Sequence, residues 1–132
     1  MTITMSLEAE EGTSFDKVSL ALSKVGAEYS VDDKHLTGNF NFSNCYFVFR
    51  YIVPHDSVVA EGVEADWEVG VRGAFHSPID SLSESWADIK GFLMEFSMET
   101  SRRFVLSFQY ESVYAVRDQH GVKFFKSMID DI

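Results

Sequence analysis

Leu82, Trp86, Ile89, Leu93 and Phe96 recur at intervals of four, three, four and three residues. At about 100° per residue, all five stay within about 40° of Leu82 on a helix. A stripe this narrow and this long has to be buried against another layer. Its start carries Ser77-Pro78-Ile79-Asp80 and then Ser81-Leu82-Ser83-Glu84. Proline in the first turn and an acid three residues after a serine are both helix-start signals. The sequence that follows changes period. Phe104, Leu106, Phe108 and Tyr110 alternate with Val105, Ser107, Gln109 and Glu111, the two-residue repeat of a strand with one covered face. A long helix beside alternating strands points to a helix-on-sheet architecture.

The rest of the chain reads the same way. Phe15, Val18, Ala21, Leu22 and Val25 keep helical spacing, and Gly26 stands where a left-handed terminator is wanted, which predicts a helix over 14–25. Thr13 and Asp16 have the spacing of a capping box at its start. Leu36, Gly38, Phe40 and Phe42 fall on one face of a strand. Cys45 to Val53 is apolar on both faces apart from Arg50, as in a strand covered on two sides. Residues 54–65 read as a loop, and Trp67, Val69, Val71 and Phe75 as a further strand. Val113 to Arg117 continues the 104–111 strand or begins another. Asp118 to Gly121 is a turn, and Val122 to Lys126 a last strand. Residues 1–12 read as a tail, frayed or paired at a sheet edge, and 127–132 as a short helix or tail. The expectation is a single α+β domain over 1–132: one mostly antiparallel sheet of five to six strands with two helices packed on it.

Several chemistries lack their residues. The lone cysteine, Cys45, cannot form an internal disulfide, and it reads as a small buried hydrophobe rather than a nucleophile. The histidines His35, His55, His76 and His120 show no ligand spacing, so neither a metal nor a cofactor is expected. No G-x-S-x-G elbow or phosphate loop occurs. The N-terminus lacks a basic region and an apolar core of signal-peptide type, and no apolar run is long enough to span a bilayer. A cytoplasmic, non-enzymatic protein away from membranes is the expectation.

Charge carries the remaining information. Eleven Lys and Arg against 21 Asp and Glu give a net −10. That argues against nucleic acid as a direct partner, which requires a basic footprint. Arg102, Arg103, Arg117, Lys123 and Lys126 cluster late in the chain, yet residues 100–132 net only +1, so they read as balance for the acidic remainder. Residues 61–99 net −7. On the long helix, Glu84, Asp88, Glu95 and Glu99 lie within about 60° of one another, opposite the apolar stripe. Like charges four residues apart cost about 0.2–0.5 kcal/mol per pair, so helix stability alone does not account for them.

The expectation drawn from this is a negative surface that steers and receives a basic protein. Its candidate residues are Asp56, Glu61, Glu64, Asp66 and Glu68 in and after the loop, and Glu84, Asp88, Glu95 and Glu99 on the helix. Trp67 and Tyr51 are candidate aromatic anchors, and Trp86 is assigned to the core. Small acidic proteins without chemistry of their own include immunity proteins, nucleic-acid mimics and secretion chaperones. A bacterial-type immunity or inhibitor protein against a basic, nuclease-type toxin is the leading reading. The alternative is a secretion-chaperone-like or dimeric scaffold protein that binds a partner through its aromatic sheet; the partner expected overall is a basic protein, toxin or effector. Monomer and homodimer both remain open.

Overall fold

A computed structural model describes residues 1–129 of the chain. Eight strands form one antiparallel sheet: β1 (Thr2–Glu10), β2 (Ala27–Val31), β3 (His35–Phe40), β4 (Tyr46–Ser57), β5 (Glu68–Pro78), β6 (Phe104–Phe108), β7 (Ser112–Asp118) and β8 (Gly121–Phe124). Their spatial order is β2-β3-β4-β5-β1-β6-β7-β8. Two helices, α1 (Phe15–Lys24) and α2 (Leu82–Glu99), pack on one face, α2 preceded by a single 3₁₀ turn at Ile79–Ser81.

The α+β class is as expected, but the count of five to six strands is corrected to eight. One of the additional strands comes from the supposed tail. Thr2–Glu10 is a strand near the middle of the sheet, paired with β5 along one side and β6 along the other. Ile3, Met5, Leu7 and Ala9 do alternate, but Glu8, Glu10 and Glu11 hide the repeat, and the partners that tolerate Glu8 in the interior lie far along the chain. β2 is an edge strand exposed over most of its length, so it carries no apolar alternation to read. The 104–117 stretch breaks into two strands at a tight turn, with Glu111 N–H donating to the Phe108 carbonyl at 3.0 Å. The loop expected at 54–65 starts later. β4 loses register with β5 after Tyr51 and regains it at Asp56 and Ser57.

The ends of α1 follow local chemistry with one shift, whereas at the start of α2 Ser81 makes no side-chain capping bond. Ser14, not Thr13, caps α1, its hydroxyl accepting from Lys17 N–H at 3.4 Å, while the Thr13 hydroxyl donates to the Glu10 carbonyl at 2.7 Å. Gly26 takes φ +75° beyond the helix end, as its position suggests. α2 has no basic residue in its last turn. Arg117 of β7 supplies the missing charge across space, its Nη2 donating to the carbonyls of Ser97 and Thr100 at 2.9 Å each. Residues 125–129 form no helix, and the rest of the expectation for 127–132 lies outside the described residues.

Between helices and sheet lies an aromatic core. Phe40, Phe47, Phe49, Phe75, Phe92, Phe96 and Phe104 are fully buried, and each touches another ring of the group. Each such side chain contributes about 1.5–3 kcal/mol through burial. Gly73 makes room for this packing: Phe49 is its cross-strand partner and lies down over it. Trp86 sits at the margin of the core against Tyr114 and Phe124. Because strand side chains alternate, Ser6, Glu8, Val48, Arg50, Arg72, Ala74 and Ser107 point to the opposite face of the sheet, away from the helices. No helix among the described residues is long and apolar enough to cross a membrane.

Candidate functional site: an acidic loop on the helix-free face

The β4–β5 connection crosses the helix-free face, and one buried carboxylate holds it there. Glu8, on β1, is fully buried. Its two oxygens accept from the backbone N–H groups of Val59 (2.8 Å) and Ala60 (3.0 Å), and Oε2 also meets Arg72 Nη2 at 3.2 Å. Arg72 in turn reaches Asp56 at 3.1 Å and the Ser57 carbonyl at 3.1 Å. A buried charge persists only when paired and hydrogen-bonded, and here the loop backbone supplies the bonds. Farther along, Glu61 N–H donates to the Tyr110 carbonyl at 2.7 Å, tying the loop to the β6–β7 turn.

The return end of the loop is pinned by a second arginine. Arg103 grips Glu10 with a two-pronged contact, Nε to Oε1 at 3.1 Å and Nη2 to Oε2 at 3.0 Å, and extends Nη1 to Asp66 at 2.7 Å. The Arg103 guanidinium holds the Glu10 carboxyl below its usual range. Hydrogen bonding to Arg72 does the same for Asp56. A backbone bond from Glu11 N–H to the Glu68 carbonyl at 2.8 Å closes the base of the loop.

These supports shape a cleft of about 460 Å³ lined by Glu11, Glu64, Asp66 and Glu68, with Trp67, Val58 and Val63 as its apolar part. Glu64, Asp66 and Glu68 are exposed, and Trp67 is half-buried. Among the described residues the cationic contacts to these acids are Arg103 on Asp66 and His55 on Glu11 at 3.2 Å. Glu61 is exposed on the same loop. The arrangement offers several anionic groups around one aromatic face, which suits an extended cationic side chain. No three His, Cys, Asp or Glu side chains among the described residues converge as ligands would around a metal ion.

The helix acids form no continuation of this surface. They lie on the other side of the sheet, and their roles there are largely local. Asp88 is buried, accepts from Ser43 N–H at 3.1 Å, and has its carboxyl pushed up by burial. Glu95 and Glu99 converge on Lys24 of α1, and Glu84 stands half-buried in the first turn of α2. Lys24 holds the Glu99 carboxyl below its usual range. Of the nine acids read from the sequence, Glu61, Glu64, Asp66 and Glu68 share the loop, Asp56 serves its anchor, and the helix four stand apart. Tyr51 is engaged elsewhere: its ring stacks on Phe15 at 4.0 Å and its hydroxyl accepts from Phe15 N–H at 2.9 Å. Glu8, Glu11, Arg72 and Arg103 were missed. Reading 1–12 as a tail removed the first two. The arginines carry no local signal, since their partners lie 15 to 93 residues away.

Cys45 is buried, and desolvation pushes its thiol up to about 12. At neutral pH it is a protonated side chain within the core. No protein-family model, curated protein or solved structure matches this chain.

Proposed function

We propose that the chain is a non-enzymatic binding protein that receives a basic protein partner on the β4–β5 loop, in the manner of an immunity or inhibitor protein covering a toxin. The cleft is the observation that carries this reading: Glu11, Glu64, Asp66 and Glu68 line it together with Trp67, and among the described residues a single arginine of the chain itself pairs with one of these acids. A lysine or arginine of the partner would place its charge among the carboxylates and its stem or guanidinium plane against the indole. A nuclease-type toxin fits because its substrate groove must be basic to hold phosphates, and an acidic loop seated there competes for the same charge. Steering by the net −10 of the chain raises the rate of encounter. The reading of a chaperone or scaffold that uses the sheet's aromatic residues has less support, since Phe47, Phe49, Phe75 and Phe104 are enclosed beneath the helices.

The test is isolation of the partner from native cells, followed by charge reversal in two separate places. Glu61→Lys, Glu64→Lys and Glu68→Lys together should abolish capture of a strongly basic protein, while Glu84→Lys on α2 should leave it intact. A neutral or acidic partner, or capture indifferent to the loop reversals, overturns the assignment.

A further inference from the structure

A second, smaller cavity lies on the helix-free face, built from different residues. Its volume is about 130 Å³, and Ser6, Val48, Arg50, Arg72, Ala74 and Tyr110 line it. Arg50 and Arg72 are direct cross-strand partners on β4 and β5. Like charges placed directly opposite one another destabilise a sheet, so this pairing is not explained by the fold. Arg72 has its charge met by Glu8 and Asp56. Arg50 is exposed and makes no salt bridge among the described residues.

Two further observations point the same way. The Nε of Arg72 is buried and has no acceptor, and so is the hydroxyl of Ser107, the cross-strand partner of the cavity-lining Ser6. Buried donors normally find acceptors, and of these two residues Arg72 lines the cavity, so its Nε marks where an acceptor is wanted. Tyr110 reaches the cavity from a strained turn. Gln109 and Tyr110 take successive left-handed conformations, φ 54° and 61°, at the centre of the turn in the three-residue β6–β7 connection, positions that favour Asn or Gly. A side chain kept where glycine would relieve the backbone is held for what it contacts.

We propose that this cavity binds a monocarboxylate. The carboxylate bridges Arg50 and the free Nε–H of Arg72, with the hydroxyls of Ser6 and Tyr110 as further donors, and a short aliphatic chain rests on Val48 and Ala74. Guanidinium groups match the flat, two-oxygen geometry of a carboxylate. A single negative charge fits better than two, because Arg50 alone carries charge left unmet within the site. The volume admits an acid group with a few carbons and little more.

The test uses the full-length ¹⁵N-labelled protein and sodium butyrate at constant ionic strength, with chloride and inorganic phosphate as comparison anions. The Arg72 Nε–Hε resonance should shift saturably with butyrate, with a Kd on the order of 1 mM for so small a ligand. Arg50→Gln, at an exposed position, should keep the wild-type Tm and weaken binding at least about tenfold, the loss expected for a charged hydrogen bond. Ala74→Leu, which fills the cavity, should abolish the shift. No saturable shift, an equal response to chloride, tighter binding of phosphate, or unchanged affinity in Arg50→Gln would each overturn the proposal. Acetyl-Gly-Val with a free carboxyl, compared with its amide, distinguishes the source. Tighter binding than butyrate identifies a peptide C-terminus as ligand, and binding of butyrate alone identifies a small free acid.

Discussion

Replacing Glu8 with alanine removes the buried carboxylate that holds the acidic loop at Val59 and Ala60. Three donors lose their acceptor: the N–H groups of Val59 and Ala60 and one arm of Arg72. Arg72 keeps Asp56 and the Ser57 carbonyl, so the principal loss falls on the two amides. An unsatisfied buried donor costs about 1–3 kcal/mol, and truncating one partner of a buried ion pair about 3–5 kcal/mol in all. The loop can escape part of this by lifting off and hydrating its amides. The cost is then capped by the apolar surface it covers, such as Ala60 and Val105, both buried outside the main core. A loss of about 2–4 kcal/mol in urea unfolding is the expected result. Hydrogen exchange gives the sharper reading. In Glu8→Ala the amides of Val59 and Ala60 should exchange near the rate of an open chain, while those of the core strand β5 keep their relative protection. Glu8→Gln retains one acceptor oxygen and should fall between the two. Wild-type protection at Val59 and Ala60 in the alanine variant would refute the claim that this carboxylate holds the loop.

Three other outcomes follow from particular contacts. Gly73→Ala places a Cβ 2.5 Å from the Phe49 ring, which cannot move without disturbing Phe75 and Phe92; urea unfolding should show a loss of about 1–3 kcal/mol. With its thiol at about 12, Cys45 should react with iodoacetamide at pH 8 only after unfolding, at least about a thousandfold more slowly in the native state. The folded-state pKa of Glu10 is lowered, so its contribution to stability is present above the ordinary carboxylate value of 4.5 and is lost as pH falls through the depressed one. Glu10→Gln should therefore flatten the fall in stability below pH 4.5, read as Tm against pH, whereas Asp88, raised by burial, works in the opposite sense.

Legibility in the sequence followed the range of the interactions. The apolar stripe from Leu82 to Phe96 and the alternation from Phe104 onward report on neighbours three, four or two residues away; the helix stands where the pattern puts it, and the strand begins at Phe104 but stops at Phe108, with Tyr110 already in the turn. β1 escaped because Glu8, an acid at an interior position, looks like a tail residue until Arg72 and the loop amides are brought to it from 51 to 64 residues away. The β4–β5 loop was legible as an acidic cluster, but its cleft needed Glu11, just past the missed strand, and the arginine clamps. The helix acids show the reverse case. Their shared face suggested a ridge, yet Lys24 lies on another helix and Ser43 in a turn, and neither partner can be read from α2 alone. Helical spacing says which residues share a face, and it is silent on what that face meets.

The most direct measurement is the association rate between the protein and the basic partner it captures, followed at low and physiological ionic strength. Electrostatic docking on the loop requires the rate to fall at least about tenfold as salt screens the charges, and the Glu61→Lys, Glu64→Lys, Glu68→Lys variant to start slow and show little salt dependence. A wild-type rate indifferent to salt, or a loop variant as fast as the wild type, would contradict it.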